Sequence, residues 1–538
     1  MAPVTLMRRN IVLAACVALV LMALLYIQSP FDTNQLKNII PIQSNPFTTG
    51  PKLKSPPSGV AGAANGDSQA GGQTENDFNS QARTSQLHFL VPASQPNLQL
   101  CYNLASAAVN RYSVPTLLGW NGQGEFDAAI THLAKLRTVK RYLDSLDPEK
   151  DDDLVIIVDG YDIIHQLPAE VIIERYFDAA RKADAYLADR MDISIGELHE
   201  RDMRQSVFWG PDKVCWPPDP RAARCWAAPH SFLAENAFGP DRGPNEFFSE
   251  DPRWLNSGTV MGPIGDVRKV VDATMDEIAA TYDINFWQSD SDQYYLSNVW
   301  GRQEYWRSLQ IANGSEVQGG PLDRIIPEKI GELQDTELHM AIEYDSSLFQ
   351  PKAGNEPFMG YLQYNNEDFS SHVHVDIFGL GEKFVPFPVH MPNNVGTALM
   401  KLYNSIPDAH PGASAEHWLR MVHLGTNFVT KQIYGLWHCT GPKEFIDGEY
   451  PKMWFYPFVK SLLKASVRSS QRGDLISSKL IDGRKWMAKS FYPKEGELED
   501  EYGGAWSDEV AGGKFLRWKD LCGPHEGILF WGQQATGM

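Results

Sequence analysis

Two aspartates, Asp159 and Asp162, flank the pair Gly160-Tyr161 directly after the apolar run Leu154–Val158. Carboxylate oxygens suit Mg²⁺ and Mn²⁺, and a tight turn brings both side chains to one cation shared with substrate phosphates. Gly160 lets the backbone approach closely, and the ring of Tyr161 suits stacking on a base. The pattern predicts a divalent metal site, with an acidic turn that only ends a strand as the alternative.

A second polar segment, Asn256-Ser257-Gly258, stands between apolar residues. Asn, Ser and Gly in succession favour a sharp loop whose side chains are free to bind hydroxyl groups. An ordinary hairpin turn is the alternative interpretation of the same residues.

A third segment carries Asp290 and Asp292, just before the aromatic stretch YYLSNVW. Carboxylates here are suited to orienting an acceptor or to stabilising positive charge that develops on a reacting carbon. The alternative is structural, because Ser289 or Asp290 is a good N-cap for a helix that begins at this point. Both functions are compatible in one segment.

Alternating strands and helices are predicted to position these groups. Five aliphatic residues at Leu154–Val158 indicate a strand that is buried on both faces. Ala169–Leu187 follows with helical spacing, and Ser206–Trp209 is predicted to be extended. The alternation predicts an α/β fold with a mainly parallel central sheet, in which ligands bind at the carboxyl ends of strands.

The N-terminal residues predict a membrane anchor. Arg8 and Arg9 precede the uncharged run Ile11–Gln28, which as a helix is about 27 Å long and close to the thickness of a bilayer core. The flanking charges predict a cytosolic tail at 1–10, a single-pass type II span at 11–28 and a lumenal remainder. A cleaved signal peptide is the alternative. Residues 29–86, rich in Pro, Gly and Ser, predict a disordered, flexible stem.

The composition limits which partners the chain is expected to bind and which cellular compartment suits it. The 538 residues carry a net charge of −19, which disfavours nucleic-acid binding. Cys215 and Cys225 are close enough in sequence to form a disulfide, and the odd number of cysteines beyond the anchor leaves at least one thiol free. Asn313-Gly314-Ser315 is an N-glycosylation sequon, as expected of a secretory-pathway glycoprotein.

Four segments in a fixed order carry a resemblance to a known family: LVIIVDGYD, VFWGPDKVCWP, RWLNSGTVMG and SDSDQYY. Together they resemble the glycosyltransferase domain of the procollagen lysyl hydroxylases and the related collagen glycosyltransferases. The resemblance covers about Leu87 to Asn394 and implies a GT-A fold for residues 87–394. Residues 395–538 are then a C-terminal extension of unknown role.

The resemblance also implies a UDP-sugar donor, Mn²⁺ (or Mg²⁺) and roles for particular residues. Asp159 and Asp162 hold the metal, with His390 as third ligand and His372 or His374 as alternatives. The implied donor-binding residues are Trp120, Lys135, Tyr161, Asn256, Ser257 and Gly258. Tyr161 stacks near the uracil and Lys135 lies near the diphosphate, while Asp290 and Asp292 are the implied catalytic residues.

The sequence therefore predicts a metal-dependent hexosyltransferase of the Golgi or endoplasmic reticulum membrane. It transfers a hexose from a UDP-sugar to a hydroxyl of a protein or glycan acceptor. A metal-dependent phosphohydrolase and a non-catalytic, membrane-anchored sugar-binding module are the alternatives. UDP binding that requires Mn²⁺ separates the first function from the other two.

Overall fold

The structure is a computed structural model that describes residues 82–239, 247–314, 320–328, 336–494, 496–497, 500–509 and 512–530. The predicted tail and membrane anchor, and the linker up to residue 81, lie outside these residues. Among the described helices, none has both the length and the apolar character needed to span a bilayer. The first strand begins at Thr84, so the linker ends earlier than the predicted residue 86.

The strands, in chain order, are β1 (Thr84–Pro92), β2 (Thr116–Leu118), β3 (Leu154–Val158), β4 (Ile163–His165), β5 (Val207–Asp212), β6 (Trp254–Pro263), β7 (Met340–Ile342), β8 (Phe349–Pro351), β9 (Met359–Gln363), β10 (Ser370–Val373), β11 (Phe387–His390), β12 (His423–Asn427), β13 (Gln432–Ile433), β14 (Leu436–His438), β15 (Ser477–Ile481), β16 (Arg484–Ala488), β17 (Gly504–Ser507) and β18 (Lys514–Arg517).

The α-helices are α1 (Leu98–Val109), α2 (Ala134–Asp144), α3 (Ala169–Met191), α4 (Ile195–Glu200), α5 (Ala223–Trp226), α6 (Ile264–Thr281), α7 (Asp292–Ile311), α8 (Asn393–Asn404), α9 (Ala415–Met421), α10 (Phe445–Glu449), α11 (Val459–Gln471), α12 (Trp518–Leu521) and α13 (Glu526–Leu529). Asn313 of the sequon is exposed just after α7.

The central sheet is mixed but mostly parallel, with strand order β18-β17-β2-β1-β3-β6-β5-β7. Strand β1 pairs in parallel with β2, β3 and β16. Strand β6 pairs antiparallel with both β3 and β5, and β7 pairs in parallel with β5. The predicted α/β class with a mainly parallel sheet is confirmed, and the topology is compatible with a Rossmann-like fold.

Strand β3 is the buried centre of this sheet, as its five aliphatic residues predict. All five side chains are buried. Leu154, Ile156 and Val158 belong to the hydrophobic core on one face of the sheet. Val155 and Ile157 belong to the core on the other face. Because successive side chains alternate between faces, only an uninterrupted aliphatic run satisfies both cores.

The prediction of a separate C-terminal extension after residue 394 is wrong. Strands β16 and β17 join the central sheet beside β1 and β2. Strand β14 lies between β4 and β8 in a smaller sheet. A disulfide joins Cys101 in α1 to Cys522 just after α12. The apolar residues after 394 were needed to complete the core of the preceding region, which lacks these strands on its own.

The cysteines yield a test of this arrangement. The structure contains the predicted disulfide Cys215–Cys225 and the disulfide Cys101–Cys522, and Cys439 is the one free thiol among the described cysteines. Burial raises the pKa of the Cys439 thiol to about 11, so the reactive thiolate is rare at neutral pH. We expect iodoacetamide to label Cys439 only after unfolding, with both disulfides recovered by non-reducing peptide mapping. Recovery of Cys439 in a disulfide would contradict the structure.

Candidate metal centre and ligand cavity

The centre of the candidate site is a group of three side chains, Asp159, Asp162 and His438. Asp159 directly follows β3, and Asp162 directly precedes β4. Strand β4 pairs antiparallel with β14, which places His438 opposite Ile163. One ligand atom from each of the three residues lies within 4.8 Å of the other two. Strand pairing therefore brings a residue from the C-terminal part of the chain to the two aspartates.

The bonding of this group fits a divalent cation. Nε2 of His438 lies 3.1 Å from Oδ2 of Asp162, and both side chains are buried. Oδ1 of Asp162 is also buried and has no hydrogen-bond partner among the described residues. An unsatisfied buried carboxylate oxygen is costly unless something binds it. Two carboxylates and an imidazole nitrogen are donors that suit a divalent metal.

The Asp162 carboxyl is held in its charged form. Burial alone would raise its pKa, but the charges and hydrogen bonds of His438 and Lys443 keep the pKa well below its usual range. The Lys443 ammonium contacts Oδ2 of Asp162 directly and donates to the carbonyl of Cys439 at 3.2 Å. The site thus presents a buried anion that cations already stabilise.

A bulge in β6 shapes the opposite wall of the site. Pairing of β5 with β6 shifts register between Trp209, which faces Val260, and Gly210, which faces Asn256. The extra residues of β6 move toward the metal centre, where the backbone N–H of Asp159 donates to the carbonyl of Gly258 at 2.9 Å. The predicted sharp loop at Asn256–Gly258 is therefore a bulged strand, a feature that often redirects residues beside functional sites.

Gly258 leaves room for the metal centre. A Cβ at this position would lie 2.2 Å from Cε1 of His438 and 2.9 Å from Oδ2 of Asp159. Both distances are shorter than real carbon contacts allow, so a larger residue would displace two of the three candidate ligands. The segment Asn256–Gly258, which the sequence predicts to be a binding loop, instead contains a glycine whose backbone lies close to His438 and Asp159.

Lys135 connects the metal centre to the acidic segment at the start of α7. Its Nζ lies 2.6 Å from Oδ1 of Asp159, 2.9 Å from Oδ2 of Asp292 and 2.9 Å from the carbonyl oxygen of Ser257. Burial would lower the pKa of Lys135, but the two carboxylates raise it above its usual value. Lys135 therefore stays protonated and holds Asp159 and Asp292 on opposite sides of one ammonium group.

A cavity of about 350 Å³ opens beside these groups. Its wall includes Lys135, Asp159, Tyr161, Asp162, Asp292 and Lys443 together with apolar and small residues of the β1 and α2 regions. The Tyr161 hydroxyl accepts from the backbone N–H of Ser94 at 3.0 Å and donates to the carbonyl of Gln95 at 3.0 Å. These bonds fix the orientation of the Tyr161 ring at the cavity wall.

The structure does not bring three of the predicted site residues to the metal centre. His390, at the end of β11, is exposed and faces Asp368 at 3.5 Å. The alternatives His372 and His374 belong to the neighbouring β10 region, and the described residues contain a single candidate metal group, the one with His438. The prediction of His390 as third ligand is thus wrong in position, because β11 pairs with β10 and not with β4.

The structure also places Trp120 and Asp290 at positions that differ from those the sequence predicts. Trp120 is buried in the hydrophobic core, and Gly119 lines the cavity in its place. Asp290 accepts from the Thr131 hydroxyl and, at 2.9 Å, from the His132 backbone N–H. It therefore anchors the loop before α2 and, unlike Asp292, does not line the cavity at the metal centre. The N-cap of α7 is Ser291, whose hydroxyl accepts from the Tyr294 N–H at 3.3 Å, and not Ser289 or Asp290.

Sequence reasoning missed His438, Lys443 and Asp212. The sequence signal for the first two is a short apolar strand ending in His438, followed by the turn residues Thr440-Gly441-Pro442. Asp212 ends β5, and its Oδ2 lies 3.4 Å from the Nδ2 of Asn256, which fixes the predicted residue Asn256 at the bulge. Burial raises the pKa of Asp212 to about 6.

The different positions of Asp290 and Asp292 can be tested by replacing each of them with asparagine. Asp292→Asn removes one of two carboxylates that hold Lys135, a charge-assisted bond worth about 1.5 kcal/mol or more. We expect turnover by the hexosyltransferase that the sequence predicts to fall about tenfold. Asp290→Asn keeps an oxygen acceptor for the loop and is expected to change turnover less than threefold. Steady-state kinetics with both variants would contradict this assignment if Asp290→Asn had the larger effect.

Comparison with known proteins adds no family assignment. A scan against models of protein families and a search among curated proteins found no match to this chain.

Proposed function

We propose that this chain is a metal-dependent glycosyltransferase with a GT-A-type arrangement, which transfers a hexose from a UDP-sugar to a hydroxyl acceptor. The observation that carries the proposal is the Asp159-Asp162-His438 group at the carboxyl end of β3, beside a cavity lined by two lysines. In open α/β sheets, ligands bind at this end of the strands. A cation with adjacent lysines suits a diphosphate, which an otherwise acidic chain would repel.

Each residue of the site has a role in this proposal. Asp159, Asp162 and His438 hold Mn²⁺ or Mg²⁺, which supplies positive charge to the diphosphate of the donor. Lys135 and Lys443 add positive charge at the cavity wall, and the oriented ring of Tyr161 offers a surface for the base. Asp292 positions Lys135 through their ion pair.

The proposed reaction exchanges one bond to the anomeric carbon for another. The acceptor oxygen forms a bond to this carbon as the bond to the diphosphate oxygen breaks, and UDP leaves with the electron pair. The proton of the acceptor hydroxyl passes to solvent water. The charged wall of the cavity stabilises the negative charge that accumulates on the departing UDP.

The proposed location is the Golgi or endoplasmic reticulum membrane, with the predicted segment 11–28 as anchor. Two disulfides and an exposed sequon asparagine suit an oxidising lumenal compartment. We expect Asn313 to carry a glycan. We also expect sealed microsomes to protect the chain from added protease.

The test is a screen of UDP-hexoses with the purified full-length chain in detergent. We expect UDP release from at least one donor with Mn²⁺ and none with excess EDTA, and we expect UDP with Mn²⁺ to raise the melting temperature. Release of inorganic phosphate from phosphate monoesters, without UDP release, would favour a phosphohydrolase. Absence of Mn²⁺-dependent UDP binding and of turnover across the panel would refute the proposal.

A further inference from the structure

A second and larger cavity, of about 750 Å³, lies between residues 217–224 and the helices α6 and α7. We call it the aromatic cleft; its wall also includes Phe286, Trp287 and residues 325–328. Among the described residues, it shares no lining residue with the cavity at the metal centre. The aromatic cleft is therefore a separate concave surface whose chemistry the donor site does not explain.

Two adjacent indole rings are exposed, and one of them, that of Trp287, lines the aromatic cleft. Trp287 is 65% exposed, and Trp216, which lies edge-on against it with ring centroids 5.7 Å apart, is 41% exposed. Deeper in the cleft, Phe286 packs on Tyr294 at 4.8 Å between ring centroids. Large aromatic surfaces left in water at a concave site are typical of a ligand-binding surface.

The polar side chains of the aromatic cleft are planar and paired with one another. Glu277 forms an ion pair with Arg302 and accepts from the Asn298 amide at 3.3 Å. Arg224 donates to the Asn298 oxygen at 2.9 Å and packs over the Tyr294 ring. These side chains form a continuous hydrogen-bonded network in the wall of the cleft.

The charges around the aromatic cleft balance. Three basic residues among those that line it are matched by three acidic ones: Arg221, Arg224, Arg302, Asp219, Glu277 and Glu328. A cleft without net charge gives no electrostatic preference to an anion or a cation. The complementary ligand is neutral, with apolar faces for the indoles and hydroxyl groups for the planar polar side chains.

The aromatic cleft and the donor cavity are lined by residues that are close in sequence. Trp287 lines the cleft, whereas Asp292, five residues later, lines the donor cavity and pairs with Lys135. Five residues span at most about 18 Å, even when fully extended. A short chain of linked sugar rings is long enough to span a separation of this size.

We propose that the aromatic cleft binds a neutral oligosaccharide as the acceptor, so that the chain extends a glycan. A hexose ring has an apolar C–H face that packs on an indole, and a rim of hydroxyls that matches the amide, carboxylate and guanidinium groups of the cleft. This inference rests on the proposed function, because it names the acceptor class of the same transferase.

The experiment measures binding of the full-length chain to an array of neutral di- and trisaccharides of glucose, galactose and mannose, in EDTA and without donor. We expect binding to a subset of them, and Trp287→Ala is expected to weaken it about tenfold or more, as for an aromatic anchor at an interface. Phe232→Ala, which truncates a partly exposed aromatic ring outside the cleft, is the matched control and should leave binding unchanged. Melting temperatures establish that both variants fold.

Three outcomes would overturn the inference. These are no binding of the wild-type chain to the array, equal binding by Trp287→Ala, or Trp287-dependent binding to a peptide array in place of saccharides. The proposed donor chemistry is tested separately, because saccharide binding in EDTA does not involve the metal centre. Asp159→Ala is expected to bind saccharides as the wild type does, even though its UDP binding with Mn²⁺ is lost.

Discussion

Replacing His438 with alanine is expected to lower metal-dependent turnover by about 10³-fold or more, because a bound cation contributes several kcal/mol to charge stabilisation. His438 and Asp162 are the two buried members of the Asp159-Asp162-His438 group, and Nε2 of His438 lies 3.1 Å from Oδ2 of Asp162. Calorimetric titration with Mn²⁺ should show a matching loss of metal affinity. The Asp162–Lys443 contact remains in this variant, which favours retention of the fold.

The matched control is His390→Ala. His390 also lies within 4 Å of an aspartate, Asp368, but both of these side chains are exposed. Exposed pairs of this kind contribute little to stability, so we expect turnover and Mn²⁺ affinity to change less than twofold. The assignment of the third ligand would be wrong if the His390 variant lost Mn²⁺ binding while the His438 variant kept it.

Gly258→Ala is expected to reduce turnover by about 10²-fold or more, although the substitution replaces no charged residue. The added methyl would lie 2.2 Å from Cε1 of His438 and 2.9 Å from Oδ2 of Asp159. Either the bulge or the two ligands must move, and displacements near 1 Å commonly cost this much in rate. Overpacking of this kind should also lower the free energy of unfolding by about 1–3 kcal/mol, which denaturant titration measures.

Gly196→Ala is the control for this substitution. Gly196 lies in α4, and its nearest contact for an added methyl is the Ser194 hydroxyl oxygen at 3.8 Å, an ordinary van der Waals distance. Alanine favours a helix over glycine, so stability should be unchanged or slightly higher, and turnover unchanged. Normal turnover and metal affinity in Gly258→Ala would show that the bulge does not constrain the metal centre.

Strand β3 and its aspartates were predictable because their signals are local. Five adjacent aliphatic residues satisfy two cores, and Asp159 follows directly, so burial and position can be inferred from the sequence around them. Lys135 lies beside Asp159, whereas the family resemblance implies only a position near the donor diphosphate for it. In these cases the neighbouring residues contain most of the information that the fold uses.

The third ligand was not predictable in this way. His438 reaches Asp162 across 276 positions of sequence through two three-residue strands, β4 and β14. Strands this short have little periodic signal, and their pairing depends on the rest of the fold. The resemblance suggested a histidine at position 390, but β10 pairs with that strand instead.

Tertiary contacts also make two local elements differ from what their own sequences indicate. Apolar residues recur at helical spacing from Phe126 to Leu146, yet helix α2 begins only at Ala134. Asp290 bonds to Thr131 and His132 and holds the preceding residues as a loop at the cavity wall. The bulge at Gly258 likewise depends on the register of β5 against β6, which is a property of the pair and not of either sequence.

The late position of His438 has a consequence for biosynthesis. A ribosome adds residues at roughly 5–20 per second, so the 276 residues from Asp162 to His438 take about 14–55 s to appear. During this interval the nascent chain has both aspartates, and Lys135 to pair with Asp159, but neither His438 nor Lys443 to offset the charge of Asp162. The three candidate ligands are therefore complete only near the end of translation, and a ribosome stalled before codon 438 would hold a polypeptide that lacks one of them.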